Sequence, residues 1–272
     1  MSHAVAAPPD DWDNAGPWLR YVKQVLTIVE MDVRKLWKDP TELLMRGVQP
    51  ALWLVIFGQS LGRIRGIPTG NVSYEAFLAP GVFAQSITFI SIFYGISILW
   101  DRDMGLLQKI MCTPIPPSAM IIGKMLSASF RSISQVGIMI LLSLLLNIPL
   151  DWNILSILGV LLTVILGGVF FAGMSMAIAS LMKTRERMLG IGQLITMPLF
   201  FSSSAIYPIA IMPPWLQVVA KINPMSYLVD GLRNLLLHAA ESHLLLDWGV
   251  LIVASLVMIG VNTLLFPRIL NK

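Results

Sequence analysis

Charge is what this sequence has least of. Only 12% of its 272 residues are Asp, Glu, Lys or Arg, against about 25% in an ordinary soluble domain. With 56% hydrophobic residues and a mean hydropathy of +0.76, a water-soluble fold is excluded and an integral membrane protein is implied. There is one cysteine, Cys112, so an intrachain disulfide is excluded. Alternating apolar segments of about 10 residues, the mark of a transmembrane barrel, are absent, and the expected fold is all-α. The phosphate-binding motif G-x-x-x-x-G-K-[ST] is missing: Gly123-Lys124 has Ser118 in place of the leading glycine and Met125 in place of the hydroxyl. H-E-x-x-H and G-x-S-x-G are also missing. His238 and His243 are spaced so that they do not share a helix face, so no zinc site is expected. No acidic residue falls in the middle of an apolar run, which argues against an intramembrane protease or a proton relay.

What the sequence does have is long apolar runs. Six reach the roughly 20 residues that a helix needs to cross a bilayer, at about 43–62, 77–99, 122–146, 154–182, 188–206 and 247–267. Residues 1–17 are acidic and rich in Pro and Ala and lack the form of a signal peptide, so they read as a disordered start. Residues 18–39 place Leu19, Val22, Val25, Leu26, Val29, Val33, Leu36 and Trp37 at helical spacing among Arg20, Lys23, Glu30, Arg34, Lys35 and Lys38. That pattern predicts an amphipathic helix in the headgroup plane. Residues 40–272 then form the six-span domain, with Asp39-Pro40 as N-cap and first helical residue.

Orientation follows from Lys and Arg. A cytoplasmic N-terminus puts thirteen of them inside and four, Arg63, Arg65, Lys221 and Arg233, outside, with Arg46 and Arg131 within spans. Both termini are therefore expected in the cytoplasm. Arg46 is close enough to the inner end of its span to snorkel; Lys124 and Arg131 share a face of the third span, which is expected to begin well inside the cytoplasm.

Two connections stand out. Residues 100–117 form a cytoplasmic turn in which Met104, Leu107, Ile110 and Met111 share a helical face, while Asp101, Arg102, Asp103 and Lys109 keep the segment wettable. Pro114, Pro116 and Pro117 end it, and Ser118 is placed to cap the next helix. Such a helix either docks on a partner or is a plain amphipathic loop. Residues 207–246 are too apolar for a free loop, yet Pro208, Pro213, Pro214 and Pro224 leave no piece long enough to cross. Residues 209–222 therefore read as a re-entrant hairpin of two short helices, followed by a helix from Asn223-Pro224 in which Asp230 and Arg233 are i,i+3 partners. Among the aromatics, Phe89 and Phe93 are i,i+4, and Phe200 and Phe201 precede Ser202–Ser204.

These two connections also carry a resemblance. Asp101 to Lys124, with Gly105, Thr113-Pro114 and Gly123-Lys124, is similar to the coupling segment of type-2 ATP-binding-cassette (ABC) exporter permeases. Ala205-Ile206-Tyr207-Pro208, Pro213-Pro214-Trp215-Leu216, Asn223-Pro224, Tyr227, Asp230 and Arg233 resemble the pattern that family shows after its fifth span, daunorubicin-resistance and polysaccharide-export subunits included. Pro213-Pro214 stands where many members have Pro-Gly, and Ser202 to Ser204 replace a glycine-containing turn.

The resemblance implies a transport subunit, not an enzyme. It would bind no cofactor itself and would use a separate ATPase that carries ATP and Mg. It implies a homodimer in the cytoplasmic membrane, in contact with lipid and with no nucleic-acid partner. Asp101, Arg102, Asp103, Met104, Leu107, Ile110 and Met111 would couple to the ATPase. Phe89, Phe93, Phe200, Phe201 and Ser204 would line the cargo path, and Tyr207, Pro208, Pro213, Trp215, Asn223 and Pro224 would form the outer gate. The cargo implied is hydrophobic or amphipathic (a drug, antibiotic or lipid) or a lipid-linked polysaccharide. A membrane enzyme or assembly factor is the alternative of another class.

Overall fold

In the computed structural model the described residues are 16–38, 41–61, 72–151, 153–182, 184–237 and 243–270. The predicted disordered start, the Asp39-Pro40 cap, and Arg63 and Arg65 lie outside them, as do the side chains of Trp37, Arg46 and Met111. The chain runs α1 (Pro17–Lys38), α2 (Thr41–Leu52), a π-helical turn (Trp53–Phe57), α3 (Gly58–Leu61), α4 (Tyr74–Asp103), α5 (Leu106–Met111) and α6 (Pro117–Leu145). It continues through α7 (Ile154–Leu181), α8 (Arg185–Phe201), a 3-10 turn (Ile209–Ile211), α9 (Pro214–Ile222), α10 (Pro224–Leu237) and α11 (Leu244–Leu270). No strand occurs among the described residues.

Among the described residues four helices are long and apolar enough to cross a membrane: Tyr74–Asp103, Pro117–Leu145, Ile154–Leu181 and Leu244–Pro267. The other two expected spans take a different form. The first, 43–62, is a composite of α2, the π turn and α3, because Pro50 withdraws a backbone donor just before the widened turn. The fifth, 188–206, is a helix of 17 residues that ends at Phe201, after which Ser202 to Ser204 turn the chain.

α4 is the central post. It has apolar residues all round and is buried along most of its length, as expected of a helix enclosed by others. α6, α7, α8 and α10 pack around it, and α11 lies outside α7. Two glycines set the close approaches. A Cβ on Gly95 would lie 1.9 Å from Ser175 Oγ, and one on Gly81 would lie 2.4 Å from the Ala205 carbonyl oxygen. Only a hydrogen fits at either crossing. On the far side α11 presents Leu245, Val253, Leu256, Val257 and Leu264 outward, an apolar face suited to hydrocarbon. Asn262 donates to the Gly173 carbonyl at 2.8 Å and ties α11 to α7.

α1 divides into three arcs. Val25, Ile28, Val29, Asp32 and Leu36 are buried against α6, whose Gly123 brings the two backbones together. Trp18, Leu19 and Leu26 form an exposed apolar stripe beside them. Arg20, Lys23, Glu30, Arg34 and Lys38 fill the rest of the circumference. A helix with a packed arc, an apolar exposed arc and a charged arc fits a bilayer surface.

Candidate coupling and cargo sites

At one end of the bundle, α1, α4 and α6 meet around three buried charges. Lys124 (1% exposed) lies between Asp32 (2%) and Asp101 (4%). Its ammonium is 2.6 Å from Asp101 Oδ2 and 3.0 Å from Asp32 Oδ2. Tyr94 donates its hydroxyl to Asp32. Lys35 approaches from the surface, 3.3 Å from Asp32 and 3.8 Å from Asp101. Burial by itself would raise the Asp32 carboxyl, but the Lys124 ammonium and the Tyr94 hydroxyl favour the anion more strongly and hold it below its ordinary 3.8. Each charge is thus neutralised by its neighbours, which is the condition for keeping ions in an apolar interior.

The turn beyond this cluster is built by Gly105, whose φ of +67° lets the chain leave α4 and enter α5 at once. Leu107 is fully buried, packed among Ile28, Leu99, Ile121 and Met188. Met104 is 64% exposed, and Gln108 and Lys109 are exposed beside it. Ile110 is half-buried. The expected docking face is corrected in two respects. Leu107 points into the core because α5 folds back beneath α4 and α6, and Asp101 belongs to the buried cluster instead of orienting the rim. Arg102 and Asp103 remain at the surface, 3.1 Å apart, and Asp103 also pairs with Arg185 of α8 at 2.7 Å. Arg185 stacks over Trp100, 3.8 Å from the ring centre. Ser118 does not cap α6, which starts at Pro117; it meets the Tyr21 hydroxyl at 3.1 Å.

Between α4, α6 and α8 at this end lies an open cavity of about 530 Å³. Phe93, Tyr94 and Trp100 line one side, and Arg131, Arg185 and Leu189 the other. Phe89 and Phe93 are in ring contact at 4.6 Å. Phe201 is 43% exposed, whereas Phe200 and Ser204 are buried. Phe200 packs edge-on against Trp53, and Ser204 donates to Asp230 at 2.7 Å. Two of the expected path residues are therefore part of the packing in this conformation.

The opposite end holds residues 207–224, where a 3-10 turn (Ile209–Ile211) and one helix, α9 (Pro214–Ile222), stand in place of the expected hairpin of two short helices. Asn223, 5% exposed, donates to the Leu199 carbonyl at 2.7 Å and to Ser202 Oγ at 3.0 Å, and accepts from the Met225 amide. It thereby fastens the end of α9 to the end of α8. Arg233 bridges Asp230 at 3.2 Å, donates to the Ser204 carbonyl at 2.7 Å, and lies over Phe77. The Tyr207 hydroxyl donates to the Phe201 carbonyl. Pro208 precedes the 3-10 turn and Pro213 precedes α9. Pro224 opens α10, and Trp215 stands 68% exposed.

Sequence reasoning missed Asp32 and the hydrogen bond that Tyr94 donates to it. The signal for Asp32 was present: it falls on the apolar stripe that includes Val25, Val29 and Leu36, where an acid demands a buried cation.

With this geometry in hand the chain can be placed among known proteins. The ABC-2 type transporter family matches it over residues 23–237, a stretch that takes in the charge cluster, the turn at Gly105 and residues 207–224. The chain belongs to that family and is a membrane permease subunit of an ABC transporter. Its similarity to single proteins is more distant. It is 29% identical over 240 residues to ycf38 of Porphyra purpurea, whose name assigns it as a transport permease, covering 84% of this chain and 80% of that one. It is 24% identical over 217 residues to the daunorubicin resistance ABC transporter permease protein DrrB1 of Streptomyces coeruleorubidus, covering 77% and 76%. It is 28% identical over 226 residues to nodulation protein J of Rhizobium leguminosarum bv. viciae, covering 82% and 85%.

Proposed function

We propose that this permease is one half of a homodimeric exporter in the cytoplasmic membrane, six-spanning with both termini inside, and that a separate ATP-binding subunit drives it. Its cargo is hydrophobic or amphipathic. The carrying observation is the family match across residues 23–237 together with the exposed face of Met104, Gln108 and Lys109 at the charged end. The ATPase docks on that face, with Arg102 and Asp103 at its rim and Ile110 behind it, and Met111, at the end of α5, is expected to contribute. Its closure on nucleotide pushes α5. The Asp101–Lys124–Asp32 cluster passes the push to α6 and α1, and the Asp103–Arg185 pair passes it to α8. α4 and α8 then shift about the cavity lined by Phe93 and Trp100, where cargo enters, and the segment from Tyr207 to Pro224 opens to release it. Phe89 and Phe201 line the way, with Phe200 and Ser204 uncovered as α8 moves.

The test is co-purification of the complex with its ATPase and measurement of cargo-stimulated hydrolysis. Met104→Asp with Lys109→Glu is expected to lose the ATPase by at least tenfold while the permease keeps its melting temperature. Undiminished co-purification overturns the docking face.

A further inference from the structure

A second cavity, of about 390 Å³, lies between α9, α10 and α11 at the hairpin end. Two of the side chains that line it are polar, deeply buried and unsatisfied. Asp247 is 6% exposed, yet its carboxylate makes no hydrogen bond or ion pair among the described residues. Ser226 is 3% exposed, and its hydroxyl has no partner. The other acid lining the cavity, Asp230, is already offset by Arg233 at 3.2 Å and Ser204 at 2.7 Å. Both terminal nitrogens of Arg233 are in turn engaged, by Asp230 and by the Ser204 carbonyl. One carboxylate without a partner among the described residues therefore remains, on a cavity that also carries the unsatisfied Ser226 hydroxyl, the exposed Lys221 and His243, and walls from Ile209 and Leu246.

A buried carboxylate without a partner is strongly disfavoured, and a bound cation would relieve it. Among the described residues no group of three or more metal-ligating side chains occurs, which turns the choice from a metal ion to an organic cation. A carboxylate and a hydroxyl on the same cavity offer acceptors for two of the N–H donors of an ammonium group. We propose that this cavity binds a primary ammonium group, with Asp247 as its charge partner, Ser226 accepting a second N–H, and the apolar walls taking the carbon skeleton.

That this ammonium belongs to the cargo rests on the exporter reading above; the binding itself does not. On both, the cargo is an amphipathic amine, held near the hairpin before release. The experiment uses the full chain in lipid nanodiscs at neutral pH, titrated with 4-fluorobenzylamine and with the neutral 4-fluorobenzyl alcohol, and bound probe is read by fluorine NMR. The amine is expected to bind at least tenfold more tightly than the alcohol. Asp247→Asn, which keeps the shape and removes the charge, is expected to erase that preference, Asp247→Glu to retain most of it, and Ser226→Ala to weaken the amine severalfold. Equal binding of the two probes, no binding of either, or an undiminished preference in Asp247→Asn each overturns the site. The co-purification test reads the α5 face at the other end of the bundle, so either proposal can fail while the other stands.

Discussion

Replacing Lys124 with Met is the most informative single change. The ammonium is 2.6 Å from Asp101 and 3.0 Å from Asp32, with all three side chains 5% exposed or less. Methionine fills nearly the same volume, so the packing survives and the charge does not. Two carboxylates then face one another in an apolar interior, with Lys35, 48% exposed, too wet to replace the lost ion. Removing one partner of a buried pair costs about 3–5 kcal/mol. At about 2–4 °C per kcal/mol for a chain of this size, the apparent melting temperature should fall by roughly 6–20 °C. The assay is thermal unfolding of the purified chain in nanodiscs, with ligand-free wild type alongside. The triple variant Lys124→Met, Asp32→Asn, Asp101→Asn, in which no buried charge is left and only the half-exposed Lys35 loses its partners, should recover most of the loss, because a neutral replacement of an ion cluster is often as stable as the ions. If Lys124→Met melts within about 2 °C of wild type, or the triple variant is no better than the single one, the cluster does not bind these helices together and the reasoning fails.

Four further outcomes are expected. Asp32 has a folded pKa below its unfolded value of 3.8, so its contribution is complete above that value and fades as pH drops below it. The melting-temperature advantage of wild type over Asp32→Asn should narrow below about pH 3.8, and a constant gap would contradict the assignment. Gly95→Ala puts a methyl 1.9 Å from Ser175 Oγ and should cost about 1–3 kcal/mol by overpacking, read in the same unfolding assay, with Ser175→Gly restoring part of it. The exposed Cys112 should react with an impermeant maleimide in inside-out vesicles and not in intact cells; the reverse pattern refutes the proposed orientation. The chain purified alone should turn over no ATP, and activity that persists through rigorous repurification would overturn the two-component reading.

The parts of this molecule that could be read from the sequence are those fixed by one helix at a time. Apolar length located α4, α6, α7 and α11, and the breaks at Pro208, Pro213 and Pro224 located the short helices between Ile209 and Leu237. Periodicity found the amphipathic α1. What escaped depends on two helices meeting. Leu107 and Met104 belong to one apolar face in the sequence, but which of them points inward depends on α5 folding beneath α4, and that follows from the left-handed Gly105. Lys124 reads alone as a cytoplasmic charge near a helix start; its burial is legible only beside Asp32, 92 residues earlier. Asp247 looks like an ordinary acid at the start of a span until α10 closes over it. Helix ends were also shortened by local chemistry, as where α8 stops at Phe201 and hands over to three serines.

The two glycine contacts of α4 carry a mechanical consequence. Gly81 is pressed on the backbone of Ala205 and Gly95 on Ser175, 14 residues apart, or about 21 Å along the axis. A rod pinned at two points cannot slide lengthwise past either neighbour without lifting a side chain over a backbone. It can still roll, because a hydrogen at each crossing offers no knob to catch. On the proposed mechanism, a stroke delivered to the end from Ile96 to Asp103, which Asp101 and Asp103 tie to Lys124 and Arg185, would turn α4 more readily than slide it, and the far end near Tyr74, which reaches the Ile206 carbonyl, would turn with it. In that mechanism α4 would serve the permease as an axle, its bearings made of the smallest residue available.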